Sequence, residues 1–344
     1  MRAILFCQNN YAFGILNPIK EVLIDKGYEY LWFIPEKISS SFPYKFDNYT
    51  TSITRLKQFS SDAIFVPGNE VPYYLRGLKV QIFHGLAGEK KGHFRIRRYF
   101  DLYLTQGPYF TKKFNELKDI HRDFDVIETG WPKLDVYAED KTRYKKEKDE
   151  ILKRYVAKTI ILYAPTFSPK LTSAPFLINQ ITELAKNSDY VILLKFHPLM
   201  DNKLIKIYND LANLHENIIF QPENNIIKFL LIADILISDT SSVIYEFLLL
   251  DKPVITFRNI SDFKKYWHDS DDYNNLIGLV EANIRKDPFA KNRKIINGLF
   301  HPYNDGQSAL RMVESTENYI KANGVPTKRK LSFLRRLKIH KIFR

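Results

Sequence analysis

The chain has 344 residues, one cysteine and a formal net charge of +13. This length predicts two domains of roughly 150 to 180 residues, and a hydrophobic fraction of 45% supplies both with a core. No apolar run reaches about 18 residues, which excludes a membrane-spanning helix. The single cysteine, Cys7, excludes an internal disulfide and favours a reducing cytoplasm. The N-terminus is interpreted as a first strand rather than as a secretion signal.

Short apolar runs alternate with amphipathic stretches over the first 130 residues. Strands are predicted at 2–7 and 29–34, with a helix over 15–26 between them that Gly27 ends. Further strands are predicted at 63–66, 80–83, 102–105 and 126–128. Alternation of this kind is typical of a doubly wound parallel sheet.

The charge-dense stretch 137–158 is predicted to be a solvated helix that joins two domains. A second strand series follows at 159–163, 191–196, 217–220, 235–238 and 254–257, with helices at 175–186, 201–214 and 225–231. The chain is therefore interpreted as an α/β protein of two Rossmann-like lobes with a ligand-binding cleft between them. The predicted parts are a lobe at 1–140, a lobe at 141–305, a helix at 306–325 that by analogy returns to the first lobe, and a basic tail at 326–344.

The stretch 230–257 reads as a buried strand, a hydroxyl-rich turn, a helix of about 243–250 and a second buried strand. The turn offers helix-capping oxygens from Asp239, Thr240, Ser241 and Ser242. Such a turn presents backbone N–H groups to phosphates at the carboxyl edge of a sheet. We expect Ser241 and Ser242 to donate to a diphosphate and Asp239 to orient the turn. Glu246, one helical turn further, is interpreted either as a ribose ligand or as a surface carboxylate.

Two histidines follow predicted strands. His84 is placed like a general base, or alternatively forms a loop hydrogen bond only. His197 precedes a proline, which restricts it to extended geometry, and it could donate to a phosphate oxygen. Thr166 follows the strand that opens the second lobe and either contacts a ligand or stabilises its turn.

The tail carries eight lysine and arginine residues and no acid, so it accounts for eight of the thirteen net positive charges. We interpret it as a contact with an anionic membrane surface, mainly through Arg335, Arg336 and Lys338. A solvated basic tail is the plain alternative. Nucleic-acid binding lacks a matching fold signature, and we expect no nucleic-acid partner.

Metal signatures are weak in this sequence, which has no cysteine cluster, no His-x-x-x-His and no Asp-x-Asp after a strand. No cofactor is expected to be required. A divalent ion such as Mg²⁺ stays an option for which the sequence identifies no ligand set. Helix dipoles, histidine and Lys/Arg would then have to neutralise a phosphate leaving group.

Six segments, taken in order, carry a family resemblance. They are Phe83-His84-Gly85 with Lys90-Lys91, Gly130-Trp131-Pro132-Lys133-Leu134-Asp135, Tyr163-Ala164-Pro165-Thr166-Phe167, Lys195-Phe196-His197-Pro198, Ser238-Asp239-Thr240-Ser241-Ser242 with Asp251-Lys252-Pro253, and Asp305-Gly306 with Ser308 and Arg311. Together they resemble the CDP-glycerol glycerophosphotransferase family, the teichoic-acid primases and polymerases.

The resemblance implies a GT-B fold with the acceptor lobe first and the donor lobe second. It implies an enzyme that transfers glycerol phosphate or ribitol phosphate from a CDP-activated donor to a hydroxyl of a lipid-linked or oligosaccharide acceptor, releasing CMP. The product would be teichoic acid, capsule or lipopolysaccharide. His84 would be the base on the acceptor, and His197 would hold the donor phosphates. The resemblance also implies that Ser241 and Ser242 bind the donor diphosphate. The other predicted contacts are Thr166, Lys195, Asp239 and Glu246 for the donor, and Gly85, Lys90 and Lys91 for the acceptor.

The sequence departs from the family pattern at three points. Leu86-Ala87 stands where Thr-Pro is usual, and Ser168 stands where an arginine is usual. Thr240 stands where a tyrosine is usual, which is a smaller change. The alternatives are a nucleotide-sugar glycosyltransferase of the same fold, a non-hydrolysing UDP-sugar 2-epimerase, and a lipid-surface binding protein with a vestigial cleft. The expected location is the cytoplasm, peripheral at the inner face of the cell membrane.

Overall fold

A computed structural model describes residues 1–86, 88, 92–139, 142–221 and 226–343 of the chain. The chain forms two compact units. The N-terminal unit comprises Met1–Glu139 and Leu299–Arg344, and the central unit comprises Asp140–Gly298. The central unit therefore ends at Gly298 rather than at residue 305, and both C-terminal segments belong to the N-terminal unit.

The N-terminal unit is built on a seven-stranded sheet in the order β3-β2-β1-β4-β5-β6-β7, with all neighbours parallel. Its strands are β1 (Arg2–Phe6), β2 (Glu29–Phe33), β3 (Tyr49–Thr50), β4 (Ala63–Val66), β5 (Leu78–Gln81), β6 (Leu102–Thr105) and β7 (Asp125–Glu128). The strand order changes direction between β1 and β4, which makes their carboxyl ends the switch point of the sheet.

The central unit contains a six-stranded parallel sheet in the order β10-β9-β8-β11-β12-β13. Its strands are β8 (Thr159–Tyr163), β9 (Tyr190–Leu194), β10 (Ile218–Phe220), β11 (Ile235–Ser238), β12 (Val254–Phe257) and β13 (His268–Ser270). The switch point lies between β8 and β11. The four central strands, β9, β8, β11 and β12, are apolar over nearly their whole length and buried, as expected for parallel strands covered by helices.

Helices connect the strands in both units. Those of the N-terminal unit are α1 (Phe13–Asp25), α2 (Glu36–Ser39), α3 (Ile53–Phe59), α4 (Pro108–His121), α5 (Val136–Glu139), α13 (Ser308–Asn323) and α14 (Phe333–Ile342). Those of the central unit are α6 (Lys145–Tyr155), α7 (Ile178–Ala185), α8 (Asn202–Leu214), α9 (Ile226–Ile232), α10 (Val243–Leu248), α11 (Leu276–Lys286) and α12 (Ala290–Phe300), whose last two residues belong to the N-terminal unit. No helix in the described part of the chain is both long and apolar enough to span a membrane.

The predicted doubly wound α/β fold is confirmed, with local differences. The strand predicted at 80–83 lies two residues earlier, so Phe83 and His84 belong to the loop after it. Two strands are not predicted by the sequence: β3, which has only two residues, and β13, whose residues are polar. The basic tail contains a helix, Phe333–Ile342.

Candidate active site

The loops that follow β8 and β11 meet at the switch point of the central sheet. Tyr163, the last residue of β8, is in register with Ile237 of β11. The Ser238 hydroxyl donates to the Ala164 carbonyl oxygen at 2.7 Å and so joins the two strand ends. Thr166 and the turn 239–242 therefore lie on the same edge of one sheet.

Asp239 organises this edge from a fully buried position. Its Oδ1 accepts hydrogen bonds from the backbone N–H groups of Thr166 and Thr240 at 2.8 and 2.7 Å. Its Oδ2 accepts from the N–H and the hydroxyl of Ser173 at 2.8 and 3.0 Å. Because a carboxylate binds such donors strongly, Asp239 fixes the backbone of both loops.

The charge of Asp239 is a second property of this edge. Burial raises the pKa of Asp239 to about 6, and the donors from Ser173, Thr166 and Thr240 oppose that rise. The carboxylate is therefore mainly ionised at neutral pH. A phosphate ligand at this turn would be repelled by the nearby Asp239 carboxylate. The protein must therefore offer positive or N–H groups to the phosphate at this edge.

The hydroxyl-rich turn differs in detail from its prediction. Ser241 Oγ accepts from the Val243 N–H at 3.4 Å, whereas the Ser242 side chain makes no capping hydrogen bond. Asp239 bonds to the loop after β8, as well as to Thr240, instead of capping α10. The prediction that residues 239–242 all cap the helix is therefore wrong, and α10 has six residues, which limits its dipole.

Three other predicted donor contacts are buried: Glu246, Lys195 and Thr166. The surface-carboxylate alternative for Glu246 is thus wrong. Lys195 Nζ donates to the carbonyl oxygen of Phe196 at 2.9 Å. Contact of these three residues with a ligand stays a prediction.

His197 lies exposed in the loop after β9. The Leu199 N–H donates to its Nδ1 at 3.1 Å, and the ring stacks on Phe167 with centroids 4.3 Å apart. Since Nδ1 accepts, the proton of the neutral ring is on Nε2. His197 is therefore fixed as a hydrogen-bond donor at Nε2.

His84 has the opposite arrangement in the N-terminal unit. Its Nδ1 lies 3.0 Å from the carbonyl oxygen of Pro67, in the loop after β4. A carbonyl oxygen can only accept, so the proton is on Nδ1 and the lone pair of the neutral ring is on Nε2. The hydrogen bond to Pro67 thus leaves Nε2 of the neutral ring as a proton acceptor. The His84 side chain is exposed.

The backbone around His84 is constrained. Phe83 has a φ of 61°, in the left-handed region that costs a non-glycine residue energy and that often occurs at functional sites. The Gly85 carbonyl oxygen accepts from Gln106 Nε2 at 3.0 Å. The other two predicted acceptor contacts, Lys90 and Lys91, lie outside the described residues.

Arg258 and Asn259 directly follow β12. The sequence places Arg258 after a predicted strand, as a weak point of likeness to the 2-epimerase alternative, but neither residue is among the predicted site residues. Asn259 Nδ2 donates to the Asp239 carbonyl oxygen, and Arg258 is exposed at the same edge. The available signal was position, because both are the first polar residues after a predicted strand. Among the described residues, no three His, Cys, Asp or Glu side chains group in a way that could hold a metal ion.

Two Rossmann-like units, each with polar loops at the switch point of its sheet, define the GT-B fold class. The family described as CDP-Glycerol:Poly(glycerophosphate) glycerophosphotransferase matches residues 84–318. This match covers more than half of the chain, and the chain belongs to that family. The predicted resemblance is confirmed.

Relatives of this chain carry the names of teichoic acid primases and polymerases. It is 28% identical over 246 residues to the teichoic acid glycerol-phosphate primase of Bacillus subtilis (strain 168), covering 65% of this chain and 61% of the relative. It is 28% identical over 278 residues to the teichoic acid ribitol-phosphate polymerase TarL of Staphylococcus aureus (strain NCTC 8325 / PS 47), covering 69% and 47%. The chain thus spans about half to three fifths of the length of these relatives.

Solved structures share the fold. The wall teichoic acid polymerase TagF is similar with a TM-score of 0.63 at 18% identity, covering 93% of this chain and 89% of that one. The S. aureus MnaA–UDP complex has a TM-score of 0.68 at 14% identity, covering 96% and 99%. At these identities the likeness shows the GT-B fold alone.

Proposed function

We propose that this protein transfers a polyol phosphate from a CDP-activated polyol to a hydroxyl group of a cell-surface polymer precursor. The observation that carries the proposal is the pair of opposite histidine tautomers. His84 is held by Pro67 as an acceptor at Nε2, and His197 is held by Leu199 as a donor at Nε2. Hydroxyl attack on a diphosphate needs one group of each kind.

In the proposed reaction, His84 Nε2 takes the proton of the acceptor hydroxyl as its oxygen attacks the phosphorus that carries the polyol. The new P–O bond forms while the bond from this phosphorus to the bridging oxygen breaks. The electron pair of that bond leaves with CMP. His197 donates from Nε2 to the phosphate oxygens, and the turn with Ser241 and Ser242 holds the diphosphate through hydroxyl and N–H groups.

The two rival reactions on this fold are less well supported. A nucleotide-sugar glycosyltransferase could use the same turn and Glu246, but the family and the names of the relatives favour polyol phosphate transfer. The 2-epimerase alternative has no support beyond the fold, because the likeness to the MnaA–UDP structure at 14% identity is a likeness of fold alone.

A donor screen tests the proposal. We expect the purified chain to release CMP from CDP-glycerol or CDP-ribitol when given a lipid-linked or oligosaccharide acceptor. The panel includes UDP- and GDP-sugars at equal concentration, and nucleotide release is measured by chromatography. Turnover of a nucleotide sugar without turnover of any CDP-polyol would replace the phosphotransferase by a glycosyltransferase.

We also propose peripheral binding to the inner, cytoplasmic face of the cell membrane through α14, on a surface that differs from the predicted one. Arg329 is tied into the N-terminal unit, because its Nη1 lies 2.5 Å from Asp101 Oδ1 and its Nε donates to the Arg98 carbonyl oxygen at 2.6 Å. Ile339 is fully buried. The segment is therefore docked on the protein rather than a solvated tail.

The predicted lipid contacts already have protein partners. Lys338 Nζ lies 2.5 Å from Glu70 Oε1, and Arg336 Nε donates to the Leu331 carbonyl oxygen at 2.9 Å. The Arg335 guanidinium lies 5.9 Å from the centroid of the Tyr99 ring. These contacts leave a different part of α14 for the membrane.

The exposed apolar side chains of α14 support the contact. Phe333, Leu334 and Leu337 are 72%, 77% and 51% exposed, and their i, i+1, i+4 spacing puts them on one side of the helix. Lys330 and Lys341 are exposed near them. Apolar side chains flanked by lysine are typical of helices that lie in a membrane interface.

We expect the triple change Phe333→Ser, Leu334→Ser and Leu337→Ser to reduce binding to phosphatidylglycerol vesicles roughly tenfold or more, since each side chain loses apolar burial. Vesicle sedimentation measures this loss. Leu214→Ser, at a residue 79% exposed in the central unit, is the matched control and should bind as the unchanged protein does. Equal binding by the triple variant would contradict the membrane role of α14.

A further inference from the structure

Lys195 is a predicted contact of the proposed diphosphate site that carries a positive charge, but its Nζ is bonded to the Phe196 carbonyl oxygen. Ser241, Ser242 and Nε2 of His197 offer hydrogen-bond donors, while a pKa of about 6 leaves the Asp239 carboxylate mainly ionised at neutral pH. A diphosphate ester brings about two more negative charges to the same edge. A cation at this edge would offset that repulsion.

Most lysines that could serve have other roles. Lys195 Nζ donates to a carbonyl oxygen in its own loop, and Lys264 Nζ lies 3.0 Å from the Asp269 carboxylate. Lys252 is at the opposite end of β12, where its Nζ donates to the carbonyl oxygens of Leu231 and Ala233 at 2.6 and 2.7 Å.

We propose that Arg258 binds the diphosphate of the donor nucleotide, an inference that rests on the proposed function of this site. Arg258 directly follows β12 and is exposed. Its guanidinium forms no ion pair with any residue in the described ranges. A guanidinium matches two phosphate oxygens with parallel N–H bonds, which a point charge cannot do.

The position of Arg258 is set by the sheet. Thr256 of β12 is in register with Ser238 of β11, so Arg258 and Thr240 leave neighbouring strands at the same level, where strands lie about 4.8 Å apart. The Ile260 N–H donates to Thr240 Oγ1 at 3.4 Å, and Asn259 Nδ2 donates to the Asp239 carbonyl oxygen. The loop of Arg258 is thus tied to the turn that would hold the phosphates.

The backbone of Arg258 is an independent indication. Its φ is 49°, in the left-handed region where glycine is favoured and arginine is strained. The Arg258 N–H donates to the Ser270 carbonyl oxygen at 3.0 Å, which holds this conformation. Strain that is kept by the surrounding structure is common at ligand sites.

Tyr273 supports the side chain. The guanidinium carbon of Arg258 lies 5.2 Å from the centroid of the Tyr273 ring, and that ring stacks on Phe176 and Phe257 with centroids 5.0 and 5.1 Å apart. Burial raises the pKa of Tyr273. The positive charge of Arg258 lowers this pKa, and the negative charge of Asp239 raises it. Arg258, Tyr273 and Asp239 therefore share one neighbourhood.

The test compares binding of CDP and CMP to the full chain by calorimetry, because only CDP carries the second phosphate. We expect Arg258→Gln to weaken CDP binding about 10- to 100-fold, as loss of charged hydrogen bonds does, and to change CMP binding much less. Arg285→Gln, at an exposed arginine of α11, is the matched control and should change neither. Unchanged CDP affinity in Arg258→Gln would overturn the proposal.

Arg258→Gly separates ligand binding from a structural role. Glycine suits the observed φ, so this variant should keep or raise Tm while losing the same CDP affinity. A lowered Tm in both variants, together with lost binding, would assign Arg258 a structural role instead. If the unchanged protein binds UDP and not CDP, the cytidine donor fails, and the UDP and UMP pair then tests Arg258 in the same way.

Discussion

Replacing His84 by asparagine should lower the rate of polyol phosphate transfer about 10²- to 10⁴-fold, the usual contribution of a general base. Asparagine Nδ2 can keep the hydrogen bond that His84 Nδ1 makes to the Pro67 carbonyl oxygen, but it offers no basic nitrogen. Because His84 is exposed, Tm should not change. Steady-state CMP release measures the effect.

Donor binding distinguishes the roles of the two histidines. The His84→Asn variant should bind CDP as the unchanged protein does, whereas His197→Asn should bind it more weakly because it lacks the Nε2 donor. His121→Asn, on α4 of the same unit as His84, is the control for loss of an imidazole and should stay fully active. A His84→Asn variant with normal turnover would exclude the proposed base.

Replacing Asp239 by alanine should have the largest effect on stability, about 3 to 5 kcal/mol, because it leaves buried N–H groups of Thr166, Ser173 and Thr240 without their acceptor. The loops after β8 and β11 would lose their common anchor. CDP binding should therefore fall below detection at temperatures where the variant is still folded. Urea unfolding and calorimetry measure the two effects.

Asp234→Ala is the matched control for that change. Asp234 precedes the same strand, and its Oδ2 accepts from the Ile160 N–H at 2.9 Å at the other end of β11. Its removal should lower stability and leave CDP binding intact. If both variants lost CDP binding equally, the effect of Asp239 would reflect general unfolding rather than the shape of this edge.

The strands and the grouping of Thr166 with Asp239 could be predicted from the sequence for one physical reason. Buried parallel strands are continuous apolar runs, and all their carboxyl ends meet at one edge. Any polar residue that follows such a run is therefore brought to the same place. Arg258 satisfies this rule equally well, and only its contacts and backbone conformation distinguish it as a candidate.

The tautomers could not be predicted in the same way. That of His84 depends on Pro67, a residue of a different loop, and that of His197 depends on a local turn to Leu199. The docking of Arg329 on Asp101 is likewise a contact between distant parts of the chain. From composition alone, Arg329 is one more positive charge of a basic tail. Its place in the structure depends on Asp101, which is 228 residues earlier in the chain.

The mass of the acceptor after incubation with CDP-glycerol distinguishes polyol phosphate transfer from every rival reaction. Each acceptor should gain whole glycerol phosphate units, with one CMP released for each unit gained and with neither product formed by His84→Asn. Release of CMP without any mass gained by the acceptor, or a gain of a sugar from a nucleotide sugar instead, would contradict polyol phosphate transfer.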